Sequence, residues 1–261
     1  MKLAIIGGTG LENFLEGGSS SKVKANYGSN GEKHTRSFMA KYYKNGNVLF
    51  VNRHKVPLSL YRDMEYITPD KIDYKTLMVG LKQAGYDTVI STSAVGCTDL
   101  EPGFIGVPDD FIDYINCDIG IDYIGNNLVP FFVSAENAFN SDIREIILKS
   151  AEKNSVDIHN GGIYVRRLNN RRFETPAEVR ESIASNGMES TLYFGMTAPT
   201  EALLSKMLDM KYATIAVVTN LAAGIGGEIN HEENKDVFGK AIPDVEKILK
   251  GVLDSYFLNN K

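Results

Sequence analysis

Four short apolar runs in this chain each end at a glycine, a basic pair or a polar residue. They are residues 3–6 before Gly7-Gly8, 47–52 before Arg53-His54, 88–93 running on into Gly96, and 213–219 before Asn220. Runs of this length, closed by turn-forming or polar residues, read as buried strands. Helical patterns separate them. Residues 74–84 carry Leu77 and Leu81 one turn apart and end at Gly85, while 141–154 put Ile143, Ile146, Ile147 and Ala151 on one face. A helix from Pro176 to about residue 185 has Thr175 as its cap. Further helices are predicted over 200–210 and 237–257, the last with Pro243 in its early part. Residues 104–107, 111–114 and 162–165 read as short strands, and 15–35 as turns with an exposed hairpin. Strands alternating with helices, with no linker, repeat or low-complexity tract, predict one α/β domain over residues 1–261.

Composition narrows the function classes. The net charge is -5 over 261 residues and no basic run stands out, so a nucleic-acid groove is not expected. Cys97 and Cys117 form no metal-spaced cluster and read as thiols of a reducing compartment. The apolar start is too short for a signal peptide, and nothing approaches the ~20 apolar residues of a membrane span. The expectation is a soluble, cytoplasmic protein with no membrane partner. No serine sits in a nucleophile elbow, and no histidine cluster suits a metal.

The glycine loop Gly7-Gly8-Thr9-Gly10 follows a strand, as a dinucleotide-binding loop does. The full fingerprint needs a small residue three places after Gly10, and Asn13 stands there. No acidic strand end follows about 20 residues on. A nicotinamide-dependent oxidoreductase is therefore the alternative rather than the main reading. The simpler use of the loop is anion binding through freed backbone N–H groups and the Thr9 hydroxyl, and a tight turn without ligand is the plainer option. Arg53-His54, Thr92-Ser93-Ala94 and Thr197 each lie at or after a strand end, where they offer an anion a guanidinium fork, an imidazole and hydroxyls. Glu174 sits among Arg166, Arg167, Arg171 and Arg172, where a surface ion pair is the plain reading. Asn220 ends an apolar strand and reads equally as a turn cap. His231 lies in Asn230-His231-Glu232-Glu233, which has the look of a helix cap.

Taken in order, several segments resemble the trimeric purine nucleoside phosphorylases and methylthioadenosine phosphorylases. They are Gly7-Gly8-Thr9-Gly10-Leu11, Arg53-His54, Ser93-Ala94-Val95-Gly96, Arg172-Phe173-Glu174-Thr175-Pro176-Ala177-Glu178, Gly195-Met196-Thr197 and Thr219-Asn220-Leu221-Ala222-Ala223-Gly224-Ile225. The resemblance spans nearly the whole chain. It implies a single α/β domain with a central mixed, twisted, barrel-like sheet flanked by helices. It also implies phosphorolysis, in which a purine nucleoside and inorganic phosphate give free base and a ribose 1-phosphate. Phosphate is then a co-substrate, and no cofactor or metal is needed. By the resemblance, Thr9, Arg53, His54, Ser93, Ala94 and Thr197 hold phosphate. Phe173, Glu174, Asn220 and Ala222 meet the purine, with Asn220 stabilising the leaving base, and Met196 and His231 meet the ribose. The assembly implied is a homotrimer or a dimer of trimers, with Phe132 lent to a neighbour's site.

The chain departs in places from the pattern of the family it resembles. The methylthioadenosine branch carries two aspartates where this chain has Asn220 and Ala222, and Asn220 with Glu174 resembles the 6-oxopurine pattern. Inosine, guanosine and methylthioinosine are thus the expected substrates, with a methylthioadenosine phosphorylase of aminopurine preference as the alternative. Glu65 replaces a family histidine near the phosphate, and Asn170-Arg171 replaces a Gly-Pro pair. These two changes keep a non-catalytic nucleoside-binding module open. At the 5′ end, His231 and Asn234 are alternative contacts.

Overall fold

The computed structural model describes residues 2–8, 11, 18–57, 67–115, 119–168, 171–187 and 189–258, without the side chains of Asn45, His231, Phe257 and Leu258. In chain order the first half contains β1 (Leu3–Gly7), β2 (Ser19–Ser29), β3 (Glu32–Tyr43), β4 (Val48–Asn52), α1 (Tyr74–Gln83), β5 (Thr88–Cys97), β6 (Ile105–Val107), β7 (Asp110–Asp113), β8 (Tyr123–Ile124) and β9 (Asn127–Leu128). The second half contains α2 (Ser141–Lys153), β10 (His159–Asn160), β11 (Ile163–Arg166), α3 (Pro176–Asn186), β12 (Leu192–Phe194), α4 (Ala198–Met207), β13 (Lys211–Leu221) and α5 (His231–Leu258).

All of these strands join one mixed sheet, in the order β10-β6-β13-β5-β1-β4-β3-β2-β8-β9. Its centre, β13-β5-β1-β4, is parallel. Parallel strands covered on both faces need apolar residues at every position, and β1 is buried along its whole length. Ala4 and Ile6 face one core with Leu49, Val51, α1 and α4, while Leu3 and Ile5 face another with Val48, Phe50, α2 and α5. At its far end β5 also pairs antiparallel with β12, which carries β11 and then β7 as a parallel limb. This limb curls back over the sheet: the Tyr193 hydroxyl on β12 lies 2.7 Å from Nδ1 of His159 on β10. The result is the barrel-like curvature expected from the resemblance.

The structure changes several sequence-based boundaries. The hairpin expected within 15–35 is longer and half-buried, because Val23, Ala25 and Tyr27 alternate with exposed neighbours and pack inward. Its turn is the Asn30-Gly31 pair, both with positive φ, which suits a two-residue hairpin. The closing helix begins six residues earlier than expected, behind Asn230, whose Oδ1 accepts from Glu232 N. Helix α4 starts at Ala198, with Pro199 in its first turn where a missing N–H costs nothing. Thr175 caps α3 as expected, and Glu178 completes a capping box.

Candidate active site

The carboxyl ends of parallel strands in an open sheet form a crevice, because the chain leaves successive strands in different directions there. In this chain the ends of β1, β4 and β13 and the outer half of β5 border a cleft of about 440 Å³, within the range of small-molecule sites. Its walls include Gly8, Arg53, His54, Ser93, Ala94, Gly96, Phe173, Glu174, Met196, Thr197, Thr219 and Asn220, with Asn234, Lys235 and Phe238 from α5.

One end of the cleft is cationic and rich in hydroxyls. Arg53 lies in the 3₁₀ turn Arg53–Lys55 after β4 and is 1% exposed. Its Nη1 donates to Thr197 Oγ1 at 2.5 Å, and its Nη2 reaches Glu201 Oε2 at 3.4 Å. Nε and Glu201 Oε1 are 3.0 Å apart but poorly aligned, so that contact is Coulombic rather than a hydrogen bond. Tyr212 Oη donates to Glu201 Oε2 at 2.7 Å. Burial works most strongly against the charge of Arg53, but Glu201 together with Tyr212, Tyr74 and Tyr164 outweighs it and the guanidinium pKa is raised. Burial lifts the Glu201 carboxyl, with Arg53 opposing. His54 Nδ1–H donates to the Ile67 carbonyl at 2.6 Å, which fixes its tautomer. Ser93 Oγ lies 2.9 Å from Tyr164 Oη, and Thr197 N–H donates to the same hydroxyl at 3.4 Å. A Cβ on Gly195 would overlap that hydroxyl, so glycine is required there.

The other end is carboxylate and carboxamide. Glu174 stands between β11 and α3 and is 8% exposed. Three of the four neighbouring arginines are engaged elsewhere, and the fourth, Arg171, lines the cleft. Arg166 pairs with Asp113 and donates to Thr200, Arg167 pairs with Glu181, and Arg172 forks onto Glu178. That fork, with the Thr175 backbone bond, holds the Glu178 carboxyl down at about 2. The ion pair expected of Glu174 therefore does not form among the described residues. Burial raises its pKa, with Glu178 adding to it and a backbone hydrogen bond, Arg172 and Arg167 opposing.

Asn220 reaches the cleft through a break in strand register. Val218 pairs with Val95 and Asn220 with Gly96, leaving Thr219 as an extra residue. Side chains alternate with period two, so one extra residue turns the rest of the strand to the opposite face. A Cβ on Gly96 would come within 2.9 Å of Asn220 Nδ2, which places the carboxamide over that glycine.

These placements bring Arg53, His54, Ser93, Ala94, Phe173, Glu174, Met196, Thr197 and Asn220 to one cavity. They do not bring Ala222 there. It is buried with Val165, Val179, Leu192 and Phe194 in a satellite core, its N–H tied to the Cys97 carbonyl at 2.7 Å. Phe132 lies outside the cleft and is 94% exposed. Thr9, Glu65, Asn170 and the His231 side chain lie outside the described residues. Among the described residues no cluster of His, Cys, Asp or Glu could hold a metal, and no helix is long and apolar enough to cross a membrane.

Residues 2–254 match the family model described as the phosphorylase superfamily. The chain belongs to the phosphorylase superfamily. Among curated relatives, it is 30% identical over 258 residues to a probable 6-oxopurine nucleoside phosphorylase of Dictyoglomus turgidum, covering 97% of this chain and 91% of that one. It is 29% identical over 259 residues to a probable S-methyl-5′-thioinosine phosphorylase of Methanocaldococcus jannaschii, covering 98% and 92%. In fold, this phosphorylase-superfamily chain matches a variant adenosine/methylthioadenosine phosphorylase of Schistosoma mansoni in complex with methylthioadenosine. The TM-score is 0.77 at 21% identity, covering 98% of this chain and 91% of that one.

Sequence reasoning missed the second layer of this superfamily member's cleft: Tyr164, Glu201 and Tyr212. Glu201 had a signal, since it lies on a face of α4 shared with the apolar Ala198 and Ala202. A carboxylate in such company requires a buried partner.

Proposed function

We propose that this chain is a purine nucleoside phosphorylase preferring a 6-oxopurine. The observation that carries the proposal is one cleft with a buried cation and hydroxyls at one end and a carboxylate with a carboxamide at the other. Phosphate would lie among Arg53, His54, Ser93, the Ala94 backbone and Thr197, with Gly8 in the same wall; Thr9 is assigned to it by the resemblance alone. His54 gives its Nδ1–H to Ile67, which leaves Nε2 as the ring nitrogen that would face phosphate. The ribose would rest on Met196, between phosphate and base. Glu174 accepts N1–H of an oxopurine, Phe173 packs on the ring, and Asn220 faces N7 and O6.

Cleavage of the N-glycosidic bond leaves positive charge on the sugar and negative charge on the departing purine. Phosphate is the nucleophile, and the chain's task is to hold it under the sugar and stabilise the leaving base. Removing such a leaving-group contact costs about 3 kcal/mol of transition-state stabilisation. This accounts for activity without a nucleophilic side chain, a cofactor or a metal. Phe238 in the α5 wall supports a second reading, 5′-methylthioinosine, because an apolar ring suits a methylthio group better than a hydroxyl. One sheet through all the strands supports a single domain over 1–261. Exposed Leu128, Phe131 and Phe132 support a homotrimer or dimer of trimers in which Phe132 enters a neighbour's site. We place the protein in the cytoplasm.

The test is base release from inosine, guanosine, adenosine, methylthioadenosine and methylthioinosine with and without phosphate. Phosphate-dependent release, fastest from an oxopurine, is expected. No phosphate-dependent release from any of the five would refute the proposal, and binding without turnover would indicate a non-catalytic module.

A further inference from the structure

Asn220 does not stand alone in the cleft wall. Its Nδ2 donates to the Leu221 carbonyl at 2.8 Å. A carbonyl oxygen only accepts, so the nitrogen of the carboxamide must lie on that side and Oδ1 on the other. Oδ1 meets two donors: Asn234 Nδ2 at 3.0 Å and the Thr219 hydroxyl at 3.1 Å, whose proton is shared with the Val95 carbonyl at 3.2 Å. Asn234 belongs to α5 and is held in its first turns by a backbone bond to Asn230 at 3.0 Å.

A primary carboxamide has two N–H donors and two acceptor positions. In Asn220 both acceptor positions and one donor are engaged within the protein. Among the described residues, what is left is a single N–H. We propose that Asn234 is a positioning residue that sets the selectivity of this site, fixing the Asn220 carboxamide so that it offers the base a donor and not an acceptor. The proposal rests on the purine reading above. A 6-oxo group and the negative charge gathering on O6 and N7 as the base leaves both accept from an N–H. A 6-amino group presents N–H to N–H, and that mismatch leaves two donors unpaired. The base preference is thus written partly in a helix that begins ten residues after the strand ends.

The test compares Asn234→Asp, Asn234→Ala and the parent protein. Aspartate only accepts, so it repels Oδ1 and favours the turned carboxamide, which offers the base a lone pair. The ratio of kcat/KM for inosine to that for adenosine should fall at least tenfold in Asn234→Asp. It should fall by a smaller factor in Asn234→Ala, which removes the donor without forcing a turn. The KM for phosphate should stay the same in both. A purely structural role would depress both nucleosides equally. A ratio within twofold of the parent's in either soluble variant overturns the proposal.

Hypoxanthine and adenine titrated into the phosphate-saturated proteins separate the two levels of inference. If the parent binds neither base and cleaves neither nucleoside, the purine reading falls and this proposal with it. If the parent favours the oxopurine and Asn234→Asp keeps that preference, this proposal falls alone.

Discussion

Glu201→Gln tests the cationic end of the cleft. The substitution keeps the shape of the side chain and removes its charge, 3.0 Å from Arg53 Nε. At an effective dielectric near 20 the Coulomb term at that distance is about 5.5 kcal/mol. Breaking a buried pair by removing one partner costs about 3–5 kcal/mol, because the remaining charge stays buried without its counter-ion. For a chain of this size each kcal/mol moves the melting temperature by roughly 2–4 °C, so a fall of about 10 °C is expected in phosphate-free buffer. If phosphate binds Arg53, the anion replaces the lost charge. Phosphate at a hundred times its dissociation constant adds about 2.7 kcal/mol to the parent by mass action alone. The same concentration should add more to the variant, whose guanidinium has no other anionic partner among the described residues, and recover half or more of the loss. Thermal melts of both proteins with and without phosphate decide the matter. A loss equal in the two buffers would show that phosphate does not touch Arg53. A variant melting within about 2 °C of the parent would show that the Glu201 carboxyl is not carrying charge there.

The same cleft sets other expectations. Glu174, raised by burial, should give the inosine kcat/KM profile an acid limb above the ordinary carboxylate value of 4.5, because the protonated acid cannot accept N1–H. Glu174→Gln should abolish that limb; an unchanged limb refutes the assignment. A pKa raised in the fold contributes stability below 4.5 that is lost as pH rises through the raised value. The melting temperature of Glu174→Gln should therefore gain on the parent's from pH 4.5 upward. Gly96→Ala puts a methyl 2.9 Å from Asn220 Nδ2, and displacing that carboxamide should cost on the order of 10²-fold in kcat/KM, with the phosphate KM unchanged. Phe132→Arg should leave the subunit folded, since the ring is 94% exposed, but lower the mass by light scattering and raise the nucleoside KM.

The strands that build the cleft were legible because each is a closed apolar run, and the boundaries expected for the four parallel strands fall within a few residues of the observed ones. Thr175 was legible as a cap because capping is local chemistry. Glu174 was legible as a residue but not in its role. Its arginine neighbours suggested a surface ion pair, and only the fold shows that Asp113, Glu181 and Glu178 engage three of them. The direction of Asn220 was not legible at all, since it depends on a single extra residue in one strand. Nor was the fate of Ala222, two residues on and turned into a core. Tyr164 escaped because its partners Ser93 and Thr197 lie 71 and 33 residues away, and Glu201 because its counter-ion Arg53 lies 148 residues away, separations that no local pattern encodes.

The two ends of the cleft are supported in different ways, and that difference bears on how such a site can change. The phosphate end rests on buried charge and buried hydroxyls: Arg53 on Glu201, Glu201 on Tyr212, and Ser93 with Thr197 on Tyr164. A change to any of these leaves a polar group stranded in the core, so it costs stability together with phosphate affinity. At the purine end, beside the buried Glu174, the Asn220 carboxamide stands beyond a bulge and is held by a side chain of a separate, half-exposed helical turn. There a change of one atom, from N–H to O, alters what the base meets without opening the core. Substitutions at Asn220 or Asn234 should therefore change which nucleoside is cut while sparing the melting temperature. Substitutions at Glu201 or Tyr164 should lower both the melting temperature and the turnover of every nucleoside. A variant at Asn234 that lost stability as heavily as Glu201→Gln would contradict this division.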